Sequence, residues 1–237
     1  MRRLFLQRKG QNHGQSFIEL LVVLLFLALL VAGVVEFGFL LVAYLHLLDG
    51  AREGARLGSN GIPFDPSSGT LYTNFYGDVI GRTLDVMDPV LLDASHPDGA
   101  GNEDDIVVSV WSVTSTGLTR FPSTESGYSM CQNLASLDAY YNSLTPPRIP
   151  TALQDSSWNT CTPRSSSFTT PQMFSEVDHL APSTGILLVE VYYNYPQVLK
   201  LPVFENSIYS LIPDPIPVYI YAVMPIAAAE PTPTPIP

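Results

Sequence analysis

An apolar run from Phe17 to Leu48, broken by Glu19, Glu36 and His46, limits what this chain can fold into more than any other feature. About 20 apolar residues rising 1.5 Å each already cross a bilayer, and a buried helix of a soluble domain rarely runs so long. The run therefore predicts a transmembrane helix. Arg2, Arg3, Arg8 and Lys9 precede it, and no acidic residue comes before Glu19. By the positive-inside rule, residues 1–14 are expected in the cytoplasm and everything after about Leu48 outside, which makes a single-pass protein of the cytoplasmic membrane. A cleavable secretory signal has an apolar core of only ~7–15 residues and a small-x-small cleavage site. The run is longer than such a core, and no Ala-x-Ala follows it before the next structured segment.

Glu19 needs a reason, because a charge within the hydrocarbon costs ~2.5–3.5 kcal/mol unless it is paired or near the interface. Cleavage after Gly14 would make Gln15 a free amine at nearly the same membrane depth, able to pair with Glu19 of a neighbouring subunit. Gly14-Gln15-Ser16-Phe17-Ile18-Glu19 resembles the type IV prepilin pattern: a basic leader, Gly at −1, Glu at +5, then an apolar helix. Further on, Gly33-Val34-Val35-Glu36-Phe37-Gly38 and Asp49-Gly50-Ala51-Arg52-Glu53-Gly54-Ala55-Arg56 resemble the signature of the TadE-like family, although Leu20 stands where many members carry an aromatic residue. That resemblance covers roughly Gly14 to Ser59. It implies a minor pilin or pseudopilin of a tight-adherence, Flp-type pilus. It also implies partners: a prepilin peptidase acting at Gly14 and Gln15, other pilins and the assembly platform proteins. Incorporation into an extracellular pilus, with roles in adhesion or secretion, would follow.

The motif residues have physical readings of their own. Gly50, Gly54 and Gly58 recur every fourth residue, as do Ala51 and Ala55, so one helix face is almost without bulk and suits close helix packing or contact between pilins. Arg52 and Arg56 share another face, each three residues after an acid (Asp49, Glu53), which also fits an ordinary solvated helix end. Glu36 comes seventeen positions after Glu19, about 25 Å along a helix. It belongs either at the outer interface or at a pairing site with another subunit.

The remainder reads as an α+β outer domain over residues 59–229, following a helix over 15–58. Gly58 to Gly69 is dense in turn formers. Tyr72, Phe75, Tyr76, Val79, Ile80, Leu84 and Met87 then form a stripe at helical spacing, stopped before Pro89. Ile106–Val113, Ile186–Tyr195 and Pro217–Met224 have the β-branched and alternating character of strands, expected to form a small antiparallel sheet packed on both helices. Residues 114–182 form a Ser/Thr/Pro-rich excursion with little periodicity, too long for an ordinary loop and expected to fold over the sheet or to be partly mobile. Cys131 and Cys161 lie within it, in a compartment that permits a disulfide. The tail, residues 230–237, alternates proline and should be extended.

Eleven basic against twenty-two acidic residues, a net charge of −11, exclude an electrostatic nucleic-acid binder. Asp98, Glu103, Asp104 and Asp105 offer hard oxygens for calcium, but their spacing does not fit an EF-hand and a solvated acidic turn reads equally simply. His96 and His179 have no ligand partners by spacing, and no nucleophile elbow, phosphate loop or zinc-protease motif is present. No enzyme, cofactor or metal is expected. The alternative to a pilin is a signal-anchored protein whose outer domain binds a ligand or cell-wall component without entering a filament.

Overall fold

The computed structural model describes residues 13–63, 71–93, 103–114, 117–123, 126–145, 161–176, 184–199 and 214–226. The basic leader, Asp98, His96, His179 and the proline tail lie outside the described residues.

Helix α1 spans His13–Gly58, and α2 spans Thr73–Met87. Strands β1 (Asp105–Thr114), β2 (Gly117–Phe121) and β3 (Tyr128–Ser129) follow, then a 3-10 turn (Cys131–Asn133) and helix α3 (Leu134–Ser143). Helix α4 (Thr170–Glu176) precedes the two long strands β4 (Thr184–Tyr195) and β5 (Ile216–Ile226). The sheet is antiparallel in the order β2-β1-β4-β5, with β3 also paired to β1. The fold is α+β, as the residue patterns predict.

Alternation along the strands sorts the two faces. Ile106, Val108 and Val110 of β1, Leu187, Val189 and Val191 of β4, and Ile220, Ala222 and Ile226 of β5 point to one side. They meet Leu47, Ala51 and Ala55 of α1 and Phe75, Val79, Ile80, Leu84 and Met87 of α2 in a single core. Register follows the same logic, with Val108 opposite Val189 and Val191 opposite Ile220, so that a one-residue slip would turn the whole apolar set to the wrong face. In α2 the stripe is buried except for Tyr72, which precedes the helix and stays 42% exposed. Tyr76 stacks on Tyr128 with ring centroids 4.3 Å apart.

The other sheet face departs from the sequence reading, which gave Glu190 to a polar side. Glu190 is fully buried there. Trp111 and Leu188 are buried with it, beneath Phe168 and Met173. The cover comes from residues 161–176, part of the excursion expected either to fold over the sheet or to be partly mobile, and this part folds over it. That excursion in fact supplies β2, β3, the 3-10 turn, α3 and α4. Short elements escape periodicity counts because a two-residue strand or a seven-residue helix is too short to show a period.

Asp105 and the cysteines hold this cover down. Asp105 Oδ1 accepts from the backbone N–H of Ile106 (2.8 Å) and Cys131 (3.1 Å), while Oδ2 accepts from Ser129 Oγ (2.6 Å) and the Arg164 N–H (2.9 Å). Cys131 and Cys161 form a disulfide with Cα atoms 5.9 Å apart, clamping the same two segments. Asp104 accepts from the N–H groups of Asp93 (2.8 Å) and Asn194 (2.7 Å). These aspartates thus tie β1 to its neighbours and face N–H and O–H donors, an environment for anchoring backbone rather than for coordinating calcium. No cluster of three metal-ligating side chains occurs among the described residues.

Burial pushes the Asp104 carboxyl up to about 7 and Asp105 up to about 6, against hydrogen bonds that favour their charge. Carboxyls raised in the folded state stabilise it fully below their unfolded value, and that contribution is lost as pH rises through 6 and 7. Glu53 has the opposite sign: hydrogen bonds from Arg56 and then Arg82 hold it down at about 2, so its contribution disappears as pH falls toward that value. The denaturation midpoint should therefore be higher near pH 5 than near pH 8. A midpoint that climbs steadily between those two conditions would contradict the assignment.

Candidate functional site

Helix α1 divides into two parts by burial. Among the described side chains none before Ala43 is buried, and Phe17 to Val35 expose nearly every large apolar side chain, as expected for a helix whose environment is lipid or other helices. Length and composition allow this helix to cross a membrane. Glu19 lies on the exposed stretch. At Gly33 and Gly38 an added Cβ would meet nothing within 4 Å.

From Ala43 onward one face is covered by the chain's own outer domain. Ala43, Leu47, Gly50, Ala51, Gly54, Ala55 and Gly58 are buried, a set at three- and four-residue spacing that defines one side of the helix. The small residues let α2 come close: a Cβ on Gly50 would lie 2.8 Å from the Thr83 carbonyl oxygen, and one on Gly54 would lie 3.0 Å from that of Val79. Thr83 sits in this tight crossing without an orphaned hydroxyl, since its Oγ1 donates to the Val79 carbonyl at 2.8 Å. The small-residue face read from the sequence as a helix-packing surface is thus filled from within the chain.

The charged face of the same motif closes the crossing. Glu53 accepts a bidentate pair from Arg56 (Nε 2.7 Å, Nη2 2.6 Å) and a third contact from Arg82 Nη2 of α2 at 2.7 Å. Arg56 is the i,i+3 partner predicted from spacing. Arg82 is a partner that spacing along one helix cannot reveal. Arg52 remains exposed. Because these pairs stand largely in solvent, their role is orientation more than stability.

Glu36 is the residue whose role changes most. Its Oε1 accepts from the Val198 N–H at 2.8 Å and from Tyr195 Oη at 3.1 Å, and its Oε2 accepts from the Leu199 N–H at 2.8 Å. The pairing site proposed for another subunit is occupied by the corner that follows β4. Two adjacent backbone N–H groups and a phenol, spread over both carboxylate oxygens, give an anion at the edge of an apolar helix three donors among the described residues. No local sequence signal places Val198 and Leu199 beside Glu36, because the contact joins residues more than one hundred and fifty positions apart.

The leader side chains around the Gly14–Gln15 bond are outside the described side chains, so the processing residues keep their sequence reading. Among the described residues a groove of about 480 Å³ opens between the end of α1 and the start of α2, lined by Leu57, Ile62, Tyr72, Asn74, Phe75 and Asp78. It is open and holds no paired acid and base.

With this geometry in view, comparison with known proteins gives one match. No curated protein and no solved structure matches the chain. The family model described as TadE-like protein matches residues 14–56, from the glycine before Gln15 through the bidentate Arg56, so the likeness covers the helix that carries both motifs and bears the outer domain.

Proposed function

We propose that this protein is a minor pilin or pseudopilin that takes part in assembling a tight-adherence, type IV-like pilus. The observation that carries the reading is the pairing of a TadE-like segment with an apolar helix whose residues 16–35 are uncovered by their own domain. Such a helix is suited to waiting in a bilayer and then exchanging lipid for the helices of other subunits. The protein works as a structural subunit without chemistry of its own. A prepilin peptidase cuts between Gly14 and Gln15, and the new amine pairs with Glu19 of a neighbour to set register. Residues 50–58 fix the outer domain on the helix, so the domain travels as one body with it toward pilins and platform proteins. The outer domain stands outside the cytoplasmic membrane.

A photo-cross-linker placed at Leu24 in living cells tests this directly. The expected product joins this chain to another pilin-type subunit, and Glu19→Leu should remove most of it while leaving membrane insertion intact. Cross-links to lipid alone would count against the reading.

A further inference from the structure

The Glu36 clasp has a consequence for depth. Twenty residues separate Ser16 from Glu36, about 30 Å of helix, which is the thickness of the hydrocarbon layer. Exposed apolar side chains continue past Glu36, through Phe37, Phe39, Leu41 and Val42 to Leu45. The apolar exterior of α1 therefore does not stop short of Glu36, and whatever is tied to Glu36 is held at the level where the helix leaves the bilayer. What is tied there is the corner Tyr195–Leu199, by three hydrogen bonds.

The corner is inside out by the standards of a water-facing loop. Gln197 is buried at 6% exposure, and its N–H donates to Asp214 Oδ1 at 3.2 Å beside the start of β5. Val198 and Leu199 are instead 56% and 38% exposed. Their N–H groups, the ones most costly to bring near hydrocarbon, are those that Glu36 accepts. Each side cancels the other's liability: the carboxylate has its donors, the backbone has its acceptor, and the exposed side chains among the described residues of the corner, Pro196, Val198 and Leu199, are apolar.

We propose that this corner is a second membrane contact of the protein, seating Val198 and Leu199 in the boundary between headgroups and acyl chains of the outer leaflet, beside α1. The occupant is lipid because the surface is continuous with the exposed apolar wall of the helix at the same height. The outer domain then touches the bilayer at two points, the helix and the corner, which fixes its tilt as well as its height. The proposal rests on α1 spanning the membrane.

The test uses the full chain in vesicles of phosphatidylcholine and phosphatidylglycerol. The native cysteines are bonded to each other, so Val198→Cys, Leu25→Cys and Tyr221→Cys each take one nitroxide label under non-reducing conditions. Accessibility to oxygen and to a water-soluble nickel chelate is then read at each site. The label at 198 is expected to be oxygen-rich and nickel-poor, like that at 25 and unlike that at 221 on the exposed outer row of β5. Adding Glu36→Ala should raise nickel access at 198 several-fold. Nickel access at 198 equal to that at 221 overturns the proposal, as does protection from both reagents, which would report a protein neighbour. Unchanged access in Glu36→Ala would overturn the clasp as the depth-setting element. Water at position 25 would remove the spanning reading and this inference together, whereas lipid at 25 with water at 198 removes the inference alone.

Discussion

Leucine in place of Gly54 is expected to detach the outer domain from α1 and to destabilise the protein by about 1–3 kcal/mol or more, the range for forcing bulk into a packed contact. The first carbon alone would stand 3.0 Å from the Val79 carbonyl oxygen and overlap Thr83 Oγ1. A carbonyl inside a helix cannot swing away, so the whole of α2 must retreat, and the core residues Val79, Ile80 and Met87 lose α1 with it. In membranes, the outer domain of Gly54→Leu should be digested by protease at concentrations the parent resists. Gly38→Leu is the control, because a Cβ there meets nothing within 4 Å. Equal resistance of the two variants would mean that the small-residue face is not an internal crossing. The comparison also separates folding from assembly, since the Gly38 side of the helix remains open to other subunits.

Loss of the Cys131–Cys161 bond should be the other large effect. It closes a loop of thirty residues, and release of such a loop costs roughly 3–4 kcal/mol on the chain-entropy model. Cys161→Ser should lower the denaturation midpoint by a corresponding amount, and reductant should bring the parent to the same midpoint while leaving the variant unchanged. The loss falls on the cover over Trp111 and Leu188, both of which are fully buried. Asp105 binds the same two segments through the N–H groups of Cys131 and Arg164. Asp105→Ala and Cys161→Ser should consequently be less than additive, since residues sharing one clamp couple. Strict additivity would show that bond and carboxylate hold different parts.

These two sites mark how far residue patterns reach. The close-packing face was legible because glycines every fourth residue announce a face without bulk, and the stripe of Phe75, Val79 and Met87 was legible as the buried side of α2. The three long strands were legible from alternation and β-branching. What spacing could not give was the partner in each case: Gly50 and Gly54 suit another subunit as well as α2, and only the fold chooses. That the excursion folds over the sheet was one of its two readings, but which of its residues make the cover was not legible, for a related reason. Phe168 and Met173 bury against Trp111 from a segment whose own pattern is irregular, so the signal lies in the sheet face, where Trp111 and Leu188 are too apolar to face water. Glu36 was visible as a residue needing a partner, yet two of its three donors are backbone groups, which no side-chain pattern records.

The central claim is that the exposed part of α1 is a processed assembly helix rather than a plain anchor. N-terminal sequencing of the protein purified from its own membranes tests it most directly. The mature chain is expected to begin at Gln15, placing the new amine four residues before Glu19. A chain that keeps the basic leader Arg2, Arg3, Arg8 and Lys9 in front of Gly14 would contradict it.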